Sequence, residues 1–207
     1  MSDDLLNPET DIYEAAFGTL ENIRLQHGEL TLILRIDQLT TDCDENQHTW
    51  ELRCSNPLRY RFVDENFLPI YVRDNHPLIW AEIEPRQELY FHGRPENADA
   101  MIGALYQAHQ QITQGWIPFN NYLNPCMPLK KLLSGTCGLI ADGPVRIIDV
   151  YEAAFKQHGV KTNRLKERPA KRWNGNAWVP HSGSLRALLL GESYVLCEKI
   201  NAERILN

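Results

Sequence analysis

The amino-acid sequence predicts an α+β protein: an antiparallel sheet of short strands and hairpins with two main amphipathic helices. Three observations lead to this fold class. β-prone runs fill residues 17–93, two later segments have the period of a helix, and glycine-centred turns separate paired β-prone runs near both ends. A chain of 207 residues, 43% of them hydrophobic, is long enough to bury a core without disulfides or metal.

The first predicted element is a hairpin over residues 17–36, with Gly28 in the turn because glycine tolerates a positive φ. In its second arm one face is apolar and the other is mixed, which indicates a half-buried strand. The apolar positions are Leu30, Leu32, Leu34 and Ile36. Further strands are predicted at 49–54, 58–63, 68–72 and 88–93, and residues 77–83 are a weaker strand candidate that begins at a proline.

Two segments have helical spacing. Residues 97–115 place Met101, Leu105, Ala108 and Ile112 on one side, with Asn97 as the expected cap and Gly115 as the stop. A second helix is predicted after Pro144 and before Gly159. Between them, residues 116–128 carry three prolines among aromatic residues and asparagines and are expected to form a packed connector.

A short segment of the sequence occurs twice. DIYEAAF at 11–17 recurs as DVYEAAF at 149–155, where it lies in the second predicted helix. The residues that follow the two copies disagree, and a duplicated fold would also repeat its flanking hydrophobic period. We interpret the repeat as a coincidence or at most a vestige.

The C-terminal region is predicted to contain a long exposed excursion at 160–184, followed by a second hairpin with Gly191 in its turn and a terminal strand. The domain prediction is a mostly antiparallel β module over residues 1–120, closed by a helix, and a smaller α+β unit over residues 121–207. The two are also compatible with packing as one domain.

Charge is strongly segregated along the chain. Residues 1–100 contain 20 Asp or Glu and 8 Arg but no lysine, a formal charge of −12. Residues 101–207 contain 13 Lys or Arg and 7 Asp or Glu, a formal charge of +6. Such asymmetry is typical of electrostatic recognition of a partner, of attraction between the two halves, or of an unevenly charged solvated surface.

The densest basic stretch is the strongest candidate for a binding surface. Its partner-binding residues are Lys161, Arg164, Lys166, Arg168, Lys171 and Arg172, followed by Trp173 and Trp178. Cations that neutralise phosphates and aromatic faces that stack on bases are the ingredients of single-strand nucleic-acid binding. The chain matches no nucleic-acid-binding module, so contact with an acidic protein surface, or a merely solvated loop, are the alternatives.

A second candidate is a catalytic or metal site centred on Asp74 and His76. If residues 72–76 are extended, these two side chains point to one side, and His92 or His109 would complete a ligand set. The opposing interpretation is turn chemistry, because Asp-Asn before His-Pro favours a turn. No metal or other cofactor is expected.

The sequence contains no dinucleotide-binding glycine fingerprint, phosphate-binding loop, zinc-protease helix or nucleophile elbow. Its five cysteines form no C-x-x-C pair, which is typical of reduced thiols in a cytosolic protein. No run approaches the roughly 20 apolar residues of a membrane span.

We therefore predict a soluble, cytoplasmic protein that binds another macromolecule through segregated charged surfaces, without catalysis, as an accessory, regulatory or immunity-type protein. A protein partner is expected ahead of nucleic acid, and a small hydrolase or metal-dependent enzyme at Asp74 and His76 is the further alternative. Oppositely charged halves also allow a homodimer.

Overall fold

A computed structural model describes residues 17–38, 46–173, 175–180 and 183–205. Within these ranges the fold is α+β, as predicted, with fourteen strands paired antiparallel and four helices. The chain divides into two compact units, one of residues 1–79 and 183–207 and the other of residues 80–182. The boundary expected at residues 120 and 121 lies inside the second unit, and the C-terminal hairpin belongs to the first.

The strands are β1 (Phe17–Gln26), β2 (Glu29–Gln38), β3 (Asn46–Ser55), β4 (Arg59–Arg61), β5 (Asn66–Phe67), β6 (Ile70–Arg73), β7 (Arg86–His92), β8 (Cys137–Pro144), β9 (Lys161–Arg164), β10 (Lys171–Trp173), β11 (Trp178–Pro180), β12 (Arg186–Leu190), β13 (Ser193–Cys197) and β14 (Lys199–Ile205). The helices are α1 (Pro77–Ile83), α2 (Ala98–Thr113), α3 (Leu129–Leu133) and α4 (Val145–Gln157), and a 3-10 turn spans Phe119–Asn121.

The first unit contains two antiparallel sheets that share one apolar core. One sheet has the order β14-β3-β2-β1-β5 and the other the order β4-β13-β12-β6. The alternation in β2 is confirmed, because its leucines and Ile36 are buried while Thr31, Ile33 and Arg35 are only half-buried. The predicted β1–β2 turn is also present, with Gly28 at φ +79°.

The second unit packs helices against a three-stranded sheet of order β8-β7-β9. Both predicted helices are present. Asn97 caps α2, its side-chain oxygen accepting a hydrogen bond from the Ala100 N–H at 3.0 Å, and α4 contacts β7, β8, β9 and α2. The second YEAAF copy is helical, as expected; the first copy, except for Phe17, lies outside the described residues.

One local prediction is wrong and a second is incomplete. Residues 77–83 form helix α1 instead of a strand, because Pro77 suits a first helical turn and the His76 ring nitrogen Nδ1 accepts the Leu78 N–H at 3.3 Å. The excursion predicted at 160–184 is largely exposed in its described residues, as expected, but it also contains the strands β9, β10 and β11, and β9 adds to the edge of β7. None of the helices in the described ranges has the length and apolar character needed to cross a bilayer.

Candidate functional site

The most prominent exposed feature of the second unit is a small hairpin formed by β10 and β11, which we name the tryptophan hairpin. Trp173 and Trp178 are directly opposite each other, and their ring centroids are 5.9 Å apart at an interplanar angle of 60°. The residues are 55% and 64% exposed. Two large aromatic side chains therefore share one solvent-facing surface, although burying them would be favourable.

Strand alternation determines which cations accompany the two rings. Directly opposite residues share a face, and so do residues two apart along a strand. Lys171, which pairs with Pro180, therefore lies on the face of Trp173 and Trp178 and is exposed. Arg172 lies on the other face, opposite Val179, and is half-buried.

Arg164, one of the predicted partner-binding cations, is engaged within the second unit. From β9 its guanidinium donates to Asp149 at 2.6 Å and to Glu152, both on α4, and to the Gln87 side chain on β7 at 3.3 Å. Hydrogen bonding from Arg164 lowers the pKa of Glu152 below its usual value. Arg164 thus joins α4 to the sheet and is poorly placed to bind a partner.

Arg168 is engaged in the same way. Its Nη2 lies 2.9 Å from an Asp142 carboxylate oxygen and 3.3 Å from a Glu88 oxygen. Its backbone also pairs with Arg86 through two hydrogen bonds, at 2.8 and 2.9 Å. The basic segment is thereby held against β7 and β8, and its charge is partly neutralised by the unit's own carboxylates.

The remaining lysines of the segment have a different environment. Lys161, Lys166 and Lys171 are exposed, and within the described ranges none of them forms an ion pair. The structure therefore divides the predicted basic set into two arginines that stabilise the unit, a half-buried Arg172 on the other face of the hairpin, and three lysines that face solvent. Sequence alone did not separate these roles, because the acidic partners lie between 12 positions away, for Glu152 and Arg164, and 80 positions away, for Glu88 and Arg168.

The proposed catalytic pair has no shared geometry of the kind predicted. β6 ends at Arg73, so residues 72–76 are not one extended segment. Asp74 is exposed and accepts a hydrogen bond from Arg186 at 2.8 Å. His76 is buried, and burial together with the nearby Arg73 lowers its pKa to about 4, which keeps the ring neutral near pH 7.

His92, the third candidate, is an exposed residue at the end of β7 in the second unit, opposite Cys137 and Lys161. Over the described residues, no group of three or more His, Cys, Asp or Glu side chains has the proximity required to hold a metal ion. Asp74 and His76 belong to the first unit, whereas His92 belongs to the second.

Two grooves lie along α4. One, between α2 and α4, has a volume of about 480 Å³ and is lined by alanines, glutamines, Ile112 and Val150. The other, between α4 and β9, measures about 720 Å³ and contains both acidic and basic groups, including Asp149 and Lys161. The first has no titratable lining and the second is lined by residues of the Arg164 ion pairs, so neither resembles a catalytic pocket.

A buried polar chain lies in the core of the second unit. His109 Nε2 is 2.7 Å from the Ile117 carbonyl, and His109 Nδ1 is 2.8 Å from the Tyr151 hydroxyl. A carbonyl only accepts, so Nε2 carries the proton and, in the neutral ring, Nδ1 accepts from Tyr151. Burial lowers the pKa of His109 and raises that of Tyr151. The sequence indicates that His109 is buried, because His109 follows Met101 and Leu105 at intervals of four residues on the apolar face of α2.

No protein-family model matches the chain, and no curated protein or solved structure matches it. The exposed and charged groups of the chain are therefore the basis for proposing a function.

Proposed function

We propose that this protein binds another macromolecule, as an accessory or regulatory protein, and that the tryptophan hairpin is its docking element. The observation that carries the proposal is the directly opposed pair Trp173 and Trp178, more than half exposed, with Lys171 on the same face. Tryptophan is enriched among the few residues that dominate binding energy at protein interfaces. Two adjacent rings provide a large apolar area at a small cost in side-chain entropy.

The expected partner is a protein with an acidic surface around an apolar pocket. The second unit contains twelve Lys or Arg and nine Asp or Glu, a formal charge of +3, whereas the first unit carries −9. The exposed cations Lys161, Lys166 and Lys171 belong to the same segment as the hairpin. Complementary charge would steer association, and the rings would supply most of the affinity.

Single-stranded nucleic acid is the alternative partner, because stacking on the two rings and contacts from lysines would serve it too. Two observations favour protein. Arg164 and Arg168 are each bound by two carboxylates, which reduces the charge available to phosphates. The chain as a whole also carries −6. For the enzyme alternative at Asp74 and His76, the ion pair to Arg186 and the buried neutral ring offer no supporting geometry.

The test compares the unmodified protein with the double variant Trp173→Ala/Trp178→Ala in pull-downs from native lysate, with and without nuclease, at low and high salt. We expect a salt-sensitive protein partner that survives nuclease and is lost from the variant. Truncating an interface tryptophan costs about 2 kcal/mol or more, so the loss of both should lower the affinity by at least about a hundredfold when it is remeasured with the purified partner.

Lys171→Glu should weaken the same complex and reduce its salt dependence. Lys156→Glu, on the exposed side of α4, is the matched charge control, and Tyr106→Ala, an exposed aromatic of the same unit, is the matched ring control. Arg168 is unsuitable for this test because its reversal would break the pairs to Glu88 and Asp142. Partners that disappear with nuclease, together with tight binding of labelled oligothymidylate that needs both rings, would replace the proposal with nucleic-acid binding.

A further inference from the structure

The first unit has an open sheet edge along β1. On one side β1 pairs with β2 over its whole length, but on the other only Gly18 and Thr19 pair with β5, and the Leu20 N–H donates to Glu65. Beyond that point, no strand among the described residues pairs with 21–26, and all six residues are exposed. Their outward backbone groups are thus placed to accept another strand.

The side chains along this edge are apolar on the core side. A bulge between Leu20 and Asn22 preserves the inward face, so Ile23 is opposite Leu32 and Leu25 is opposite Leu30. Leu30 and Leu32 are fully buried, whereas Ile23 and Leu25 are 42% and 52% exposed. The core face of the sheet therefore extends, uncovered, to its edge strand, where proteins usually place charges or proline.

The adjoining surface is acidic. A groove of about 430 Å³ runs between β1 and residues 62–65, with Val63 exposed on its wall and the carboxylates of Glu21, Asp64 and Glu65 around it. Glu21 also accepts a hydrogen bond from Arg35 at 2.9 Å. Arg24, the one cation between Glu21 and Gln26, lies on the opposite face of β1 from Ile23.

The acidic groove beside β1 favours a basic segment over an acidic one as the occupant of this edge. A second copy pairing through its own β1 would place the same carboxylates against each other. The N-terminal residues 1–16 contain five Asp or Glu and no Lys or Arg, so they carry the same unfavourable sign. A segment with basic side chains alternating with apolar ones would satisfy the backbone edge, cover Ile23 and Leu25, and neutralise the rim.

We propose that the open β1 edge binds an extended basic segment of a partner protein as an added strand. Backbone hydrogen bonds would supply affinity independent of sequence, while the apolar row and the acidic rim would select alternating lysine or arginine and apolar residues. This surface belongs to the first unit and does not depend on the tryptophan hairpin, so the two proposals fail separately.

The probe is a fluorescein-labelled octapeptide of alternating lysine and valine, whose binding is followed by fluorescence anisotropy. Comparison peptides carry glutamate in place of lysine, or N-methyl groups on alternate amides. We expect the lysine peptide to bind more weakly as salt rises, the other two to bind at least tenfold more weakly, and bound peptide to slow hydrogen exchange over residues 21–26.

The variant Ile23→Lys/Leu25→Lys should weaken lysine-peptide binding at least tenfold, because both positions lose the apolar side chain that the peptide would cover and gain a charge that repels its lysines. Both positions are exposed, so the fold should persist, as checked by circular dichroism. The matched control is Ile205→Lys, an exposed apolar side chain on β14 at the other edge of the same sheet, which should leave the affinity unchanged.

Four outcomes would overturn the proposal: no binding of the lysine peptide, equal binding of the glutamate or N-methylated peptide, equal binding by the double variant, or protection of 21–26 by dimerisation of the free protein. The last outcome would identify a second copy as the occupant. Loss of binding after Trp173→Ala/Trp178→Ala would also overturn the proposal, because it would assign the peptide to the tryptophan hairpin.

Discussion

The cores of the two units differ in composition. The core shared by the two sheets of the first unit is made of aliphatic and aromatic side chains plus the thiols of Cys54 and Cys197. The core of the second unit includes His109, whose ring joins Tyr151 to the Ile117 carbonyl. The stability of an apolar core falls when a substitution changes the volume of a packed side chain. The stability of a buried polar chain falls when any one hydrogen-bonding partner is removed. The units should therefore respond to different perturbations.

The largest expected contrast is in thiol reactivity. Cys54 and Cys197 are fully buried, and a hydrogen bond between the two thiols, together with burial, raises the pKa of Cys54. Cys126 and Cys137 of the second unit are exposed. We expect a maleimide to modify the buried pair at least about a thousandfold more slowly, because reaction requires opening of the core.

Labelling is followed over time by mass spectrometry of the individual cysteine peptides, with the same reaction in denaturant as the control for intrinsic reactivity. Cys43 lies outside the described residues and is followed separately. Rapid native labelling of Cys54 or Cys197 would contradict a tightly packed core in the first unit.

The next contrast uses two glycines. A Cβ added at Gly18 of β1 would lie 2.2 Å from a ring carbon of Phe67, whereas a Cβ at Gly103 of α2 meets nothing within 4 Å. Gly18→Ala should destabilise the first unit by roughly 1–3 kcal/mol, toward the upper end because three ring atoms lie within 3 Å. Gly103→Ala should stabilise the second unit by about 0.5–1 kcal/mol, since alanine is the better helix former.

Both changes are measured by urea unfolding, with hydrogen exchange assigning the effect to each unit. A neutral Gly18→Ala would mean that Phe67 repacks without cost. A destabilising Gly103→Ala would mean that this face of α2 is covered in solution.

How far the sequence predicted this contrast depends on the range of the interactions. Alternation in β2 and the cap of α2 are local, and both were predicted correctly. Helix α1 was missed because its cap comes from a histidine side chain, which is not among the usual capping residues. The connection of the C-terminal strand to β3 pairs Lys199 with Ser55, and no local pattern encodes such a distant partner.

The same distinction applies to the candidate site. The sequence located the exposed aromatic residues and the basic run, and the observed register places the two tryptophans opposite each other. It did not distinguish Arg164 and Arg168, which are bound by carboxylates on other elements, from the exposed lysines. Composition gives the charge of a segment, whereas its availability depends on tertiary contacts.

The last contrast concerns the polar chain of the second unit. Tyr151→Phe removes the donor to His109 Nδ1 and leaves a buried ring nitrogen without that bond, so we expect a loss of about 1–2 kcal/mol at neutral pH. The pKa of His109 is lowered by burial, against an unfolded value of about 6.5. The unfolded chain therefore binds the proton at higher pH, and the contribution of this group to stability is complete above pH 6.5 and decreases as pH falls below it.

His109→Gln should flatten the dependence of stability on pH below about 6.5, and His158→Gln, at the C-cap of α4, is the matched histidine control that should retain it. The measurement compares the unmodified protein with Tyr151→Phe, His109→Gln and His158→Gln. The stability of each is followed as the pH falls below about 6.5, by hydrogen exchange in α2 and α4. An unchanged slope in His109→Gln would mean that His109 binds its proton equally well in the folded and the unfolded chain, so that burial does not disfavour its charged form.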